Sequence, residues 1–148
     1  MVPRRIICCT DFSYNSEPAR ELAVDYAKAF GARLTLVHVI DSSLFPTYVD
    51  WLGDEIDQIL ARTKEAAETK LQEIANKCGD LSDIKTCCEI GSPAEKIVGV
   101  ANDEAADLIV VGTHGHTGVK HLVMGSIARS VLRTAHRPVL IVEASPLG

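Results

Sequence analysis

Five short apolar runs, each separated from the next by a stretch long enough for a helix, constrain this chain more than any other feature. RRIICCT (4–10), RLTLVHVI (33–40), DIKTCCEI (83–90), DLIVV (107–111) and RPVLIVE (137–143) are rich in branched and apolar residues, as strands are. Antiparallel neighbours turn back within a few residues, whereas parallel ones need a crossover of about a dozen or more. The spacing therefore predicts parallel pairing. LIVV and VLIV have no polar alternation, which fits strands covered on both faces. The expected fold class is α/β: an open, doubly wound parallel sheet with helices on both faces, read as one domain over residues 1–148.

The intervening segments carry helical signals. Ala19, Leu22, Ala23, Tyr26, Ala27 and Phe30 recur at helical spacing, and Gly31 supplies a stop. DSSLFPTYVD (41–50) reads as a loop ordered in part by Phe45 and Tyr48. From about Trp51 to Lys77 the pattern predicts a long helix with Ile56, Ile59, Leu60, Leu71, Ile74 and Ala75 inward, ended by Gly79. In SPAE, Ser92 fits an N-cap, Pro93 the first helical position and Glu95 the acid of a capping box. Ala94, Ile97, Val98 and Ala101 form that helix's inner face. A last helix is expected from Ser126 to about Ala135.

The net charge of -5 provides no global basic field, which disfavours a general nucleic-acid binder and leaves any anion binding to local groups. MVPRRIICC lacks the apolar stretch of a secretory leader, and no run approaches the roughly 20 residues that span a bilayer, so a cytoplasmic protein is expected. The five cysteines agree. Cys8 with Cys9, and Cys87 with Cys88, are strand neighbours pointing to opposite faces, so they read as small core residues rather than disulfides or chelates.

One connection stands apart. GTHGHTGVKHLVMGS (112–126) holds four glycines between the fourth strand and the last helix. Glycine costs conformational entropy on folding, so such density signals unusual backbone geometry or close approach by a ligand. In doubly wound sheets ligands bind beyond the carboxyl ends of the strands, where strand order reverses. There, backbone N–H groups and a helix N-terminus attract an anion, and a Cβ would hold phosphate oxygens away. Lys120 is the one full positive charge in the loop, a phosphate ligand or a solvated charge. His114, His116 and His121 form an H-x-H-x4-H array with no cysteine or second acidic ligand nearby in sequence, and zinc is not assigned. His38, within an apolar strand, reads as a satisfied core histidine.

Standard nucleotide motifs are missing: there is no GxxxxGK[ST], and CTDFSYNS stands where a dinucleotide fold would carry GxGxxG. A phosphoacceptor receiver wants an acidic pair, a further Asp and a Lys at successive strand ends. Asp11, Glu89 and Glu143 do not supply that set.

Gly112, two residues, Gly115, nine residues, then Gly125 and Ser126 match the G-2x-G-9x-G-[S/T] spacing of the ATP-binding branch of the universal stress protein family. CTDFSYNSEPA, LVHVID, GSPAEKIV, ADLIVVGTHGHTG and RPVLIV follow that family's order, so the resemblance covers essentially the whole chain. It implies a five-stranded sheet ordered 3-2-1-4-5, with Thr10 and Asp11 facing the glycine loop across one cleft. It further implies that ATP binds there, with Mg2+ or Mn2+ carried on its phosphates. Asp11 would meet the ribose or a metal-linked phosphate oxygen, and main-chain groups of Val39 the adenine edge. The backbone of Gly112, Gly115, Gly125 and Ser126 would surround the phosphates, with Thr113, His114 and Lys120 in the same loop and Val111 and Ile127 lining the pocket. Cys9 departs from the proline or small residue that many relatives place before Thr10.

The resemblance also implies a homodimer through Pro138–Val142, a bare apolar edge that invites pairing. The function expected is a nucleotide-dependent regulatory module of the stress response rather than an enzyme. The alternatives are a slow ATPase, for which only Asp11 and His114 offer to orient water, and a nucleotide-free dimeric scaffold. Asp11 also has a rival reading as a helix cap.

Overall fold

The computed structural model describes residues 1–45, 53–81, 83–113 and 124–144. In chain order the elements are β1 (Arg5–Cys9), α1 (Glu17–Phe30), β2 (Arg33–Asp41), α2 (Gly53–Asn76), β3 (Ile84–Gly91), α3 (Pro93–Asp103), β4 (Leu108–Gly112), α4 (Ser126–Thr134) and β5 (Val139–Val142). Short 3-10 turns, Tyr14–Ser16 and Ser42–Leu44, follow β1 and β2. The strands form one parallel sheet of five in the order β3-β2-β1-β4-β5. Both the parallel pairing and the expected order are therefore correct.

This order explains the two-sided core. From β1 the chain steps outward through β2 to β3, then crosses back past β1 to β4. Because parallel crossovers share one hand, reversing the direction of travel moves the helices to the opposite face. Accordingly Ile6, Cys8, Leu34, Leu36 and Val110 are buried with Ala19, Ala23 and Ala27 of α1 and Ala67, Leu71 and Ala75 of α2. On the other face Ile7, Val37, Ile109 and Val111 pack with Ile97, Val100 and Ala101 of α3 and Ala128 and Val131 of α4. The alanines of α1, four residues apart, let the helix backbone lie close to the sheet.

Some expected inward positions prove exposed. Ile59 is 50% exposed. It sits about 120° around the helix from Leu71, whereas Leu60 lies within about 20° of it and packs on the core. Phe30, in the last turn of α1, is 42% exposed and lies edge-on to Tyr26. The position of Ser92 is as expected, since it is the N-cap of α3 with Pro93 following, but its side chain makes no capping hydrogen bond. The expected start of α2 at Trp51, and Tyr48, lie outside the described residues. Among the described residues no helix is long and apolar enough to cross a membrane.

Candidate functional site

The site begins where β1 stops. Its last bond to β2 runs from the Thr10 N–H to the Val37 carbonyl, 2.9 Å, after the Cys9–Val37 pair. β2 continues alongside β3 as far as Asp41–Gly91. On the other side, β1 and β4 pair only as far as Cys8–Val110, while β4 runs on to Gly112 beside Val142. A crevice therefore opens beyond the end of β1, between β2 and β4, at the reversal point of the sheet.

Strand alternation decides what faces it. Arg33 and Val37 of β2 direct their main-chain groups at β1. Val39 is next in that series and turns its N–H and carbonyl toward the space that β1 has vacated. Across the crevice Thr113 donates its N–H to the Val142 carbonyl, 3.1 Å, so Gly112 turns its peptide to the β1 side. Gly125 donates to the Thr113 carbonyl at 2.6 Å, pinning together the two ends of the glycine loop. Arg129 in α4 holds the Met124 carbonyl at 3.0 Å. Gly125 is the N-cap of α4, and Ser126 and Ile127 form its exposed first positions.

Beyond β1 the chain makes a turn built by side chains. Thr10 Oγ1 accepts the Phe12 N–H at 3.1 Å, and Thr10 and Ser16 hydroxyls meet at 3.1 Å in a buried contact. Asp11 Oδ1 accepts the Ser13 N–H at 2.9 Å and is also bonded by the Ser13 hydroxyl. Asp11 thus forms a local turn rather than capping α1, whose N-cap is Ser16. Phe12 stands at φ 65°, a left-handed conformation that bulky residues avoid. Its ring packs against the core on the α1/α2 face, stacks on His38 with centroids 4.3 Å apart, and has Lys70 Nζ 5.3 Å from its centre. His38 Nδ1 in turn donates to the Thr10 carbonyl at 2.8 Å.

Of the expected site residues, the fold brings Thr10, Asp11, Val39, Val111, Gly112, Thr113, Gly125, Ser126 and Ile127 to the ends of β1, β2 and β4 and the start of α4. His114, Gly115 and Lys120, together with His116 and His121, lie outside the described residues. Sequence reasoning misses Phe12, because nothing in a sequence marks a phenylalanine for positive φ. A groove of about 520 Å³ between α1 and α2 is lined by Phe12, Arg20, Val24, Lys70 and Ile74 among others, but by none of the expected site residues.

All five cysteines are free. Burial pushes the Cys8 thiol up to about 12 and Cys9, just before Thr10, well above its ordinary value. Burial also raises Cys87, to about 11, helped by the Glu89 carboxylate. Thiols kept neutral in this way are poor nucleophiles and poor metal ligands. Among the described residues no group of three or more His, Cys, Asp or Glu is arranged to hold a metal ion.

The fold and site together define a doubly wound α/β domain with a glycine-flanked crevice at its switch point. Within that class the chain belongs to the universal stress protein family, whose profile matches residues 3–143. Universal stress protein MJ0531 of Methanocaldococcus jannaschii is 35% identical over 145 residues, covering 95% of this chain and 82% of that protein. The solved structure of MJ0577, from the same organism, superposes with a TM-score of 0.82 at 29% identity, covering 98% of this chain and 99% of that one. UspA from Lactobacillus plantarum gives 0.77 at 26%, covering 94% and 97%. More distant members were solved in complex with cAMP (TM-score 0.72, 23% identity, covering 98% and 100%) and, from Archaeoglobus fulgidus, with dAMP (0.61, 22%, covering 96% and 99%).

Proposed function

We propose that this chain is a regulatory stress-response module that binds ATP in the crevice beyond β1. The observation that carries this reading is the main-chain edge of Val39 facing the crevice, opposite Gly112, Thr113 and Gly125, where β4 ends and α4 begins. One wall offers an adenine base a donor and an acceptor from one residue. The other offers a polyphosphate the start of α4 and a loop whose ends are tied together. Adenine nucleotides held by two relatives of this fold support the choice of base. The G-2x-G-9x-G-[S/T] spacing supports a triphosphate over a monophosphate.

In this reading Asp11 meets the ribose or a metal-linked phosphate oxygen, and Gly112, Gly115, Gly125 and Ser126 surround the phosphates. Thr10, Thr113, His114 and Lys120 border them, and Val111 and Ile127 line the pocket. Mg2+ or Mn2+ arrives on the nucleotide, since the described residues offer no cluster of their own. The protein is a binder rather than an enzyme: Asp11 Oδ1 already holds Ser13, which suits a fixed turn better than a base activating water. The β5 edge pairs with a second copy through Pro138–Val142, and the protein works in the cytoplasm.

Equilibrium dialysis with ATP tests this. Gly125 has φ -62°, which any residue adopts, so Gly125→Val leaves the backbone unstrained while placing a side chain at the loop's base. Micromolar affinity in the parent, lost in Gly125→Val, supports the site. Equal affinity in both removes it.

A further inference from the structure

We infer that His38 is a positioning residue for the crevice: by holding the Thr10 carbonyl out of the strand ladder it keeps the main-chain edge of Val39 open to a ligand. The base-recognition half of this inference rests on the function proposed above; the structural half does not.

Parallel strands exchange bonds in a fixed sequence, and after Thr10 N–H to Val37 carbonyl the next rung would run from Val39 N–H to the Thr10 carbonyl. The strand pairing ends instead at Cys9–Val37. The Thr10 oxygen receives the imidazole Nδ1–H at 2.8 Å, and a carbonyl only accepts, so Nδ1 is the protonated nitrogen. The His38 ring is steadied by its stack on Phe12, 4.3 Å between centroids, and Phe12 is itself turned to φ 65°. The left-handed Phe12 thus brings an aromatic face under the ring, and the ring satisfies Thr10 in place of the strand. β1 and β2 diverge a rung early, and the gap between them falls at Val39. An N–H donor and a carbonyl acceptor on one residue suit adenine, which presents a ring-nitrogen acceptor beside an amino donor. Hypoxanthine reverses both polarities and does not suit them.

Two variants separate donor from ring. His38→Phe keeps the stack and removes the donor; His38→Asn places an amide N–H where Nδ1 stands and gives up the stack. Amide hydrogen exchange at Val39 is read by NMR without nucleotide, and ATP and inosine triphosphate affinities are measured in parallel. In His38→Phe the rung closes: Val39 exchange slows and ATP binding weakens, each roughly tenfold, the scale of one hydrogen bond. Inosine triphosphate binding stays the same, and His38→Asn returns both readings toward the parent. Parental Val39 exchange in His38→Phe overturns the inference, as does an unmoved ratio of ATP to inosine triphosphate affinity, or His38→Asn behaving like His38→Phe. If the parent binds neither nucleotide, the proposed function fails, and the exchange rates alone decide for or against His38. Should His38→Phe fold poorly, His38→Gln removes the Nδ1-position donor while staying polar and is read the same way.

Discussion

Arg137 and Ala101 stand 36 positions apart, and the guanidinium of the first donates to the carbonyl of the second at the C-terminal end of α3. The same group reaches the Ala106 carbonyl at 3.2 Å and the Asn102 side chain, while its Nε holds Ala135 at 3.0 Å. One side chain therefore ties together the end of α3, the approach to β4, the end of α4 and the start of β5. Helix ends leave carbonyls without partners inside the helix, and here a half-buried cation satisfies them. Arg137→Ala should cost about 2–3 kcal/mol in urea unfolding. Arg137→Lys should recover little of it, because an ammonium lacks the planar fork that spans several acceptors. Full recovery by lysine would mean that charge alone matters.

The thiols set a limit at alkaline pH. An unfolded Cys8 loses its proton near pH 9.0, the folded one only near 12. Between those values the unfolded state holds fewer protons, so stability present below pH 9 is lost as pH rises. The slope is about 1.4 kcal/mol per pH unit for this one buried thiol. Cys8→Val should flatten the fall in stability between pH 9 and about 10.5 by that amount. A parallel pair of pH profiles would show that Cys8 does not carry it.

Gly31 closes α1 at φ 63°, and a Cβ placed there would meet nothing within 4 Å. Gly31→Ala therefore isolates the backbone cost of the left-handed conformation, about 1 kcal/mol. Chemical denaturation reads it directly, and no loss would show that the helix end relaxes freely.

Strand β5 supplies the test of assembly. The Pro138 and Val142 carbonyls bond to β4, so Val139 and Ile141 direct their N–H groups to the open edge. Ile141→Pro removes an edge donor without breaking a bond of the β4 ladder, and proline is tolerated on edge strands. If copies pair through this edge, light scattering should report a dimer for the parent and a monomer for the variant. A dimer in both would move the interface elsewhere.

The five apolar runs and the Gly31 stop are legible because each depends on residues close in sequence, and the glycine spacing marks for the same reason the two ends of the candidate site, Gly112 and Gly125. LIVV and VLIV announced buried strands, and SPAE announced where α3 begins. The order β3-β2-β1-β4-β5 came from family likeness and not from periodicity, since strand spacing fixes parallel pairing without saying which neighbours pair. Periodicity misplaces Ile59 because a helical stripe has a width that only the packing of Ala67, Leu71 and Ala75 resolves.

Local sequence sets which segments become strands and helices, and it marks the left-handed glycines, Gly31 and Gly79, that follow α1 and α2. Packing across the sheet is what sets His38 against Thr10, turns Phe12 left-handed beneath it and lets Arg137 gather three chain segments. The reason is physical. Local conformation is set by short-range sterics and hydrogen bonding, whereas these contacts exist only once strands distant in sequence lie side by side and their unpaired polar groups must find partners.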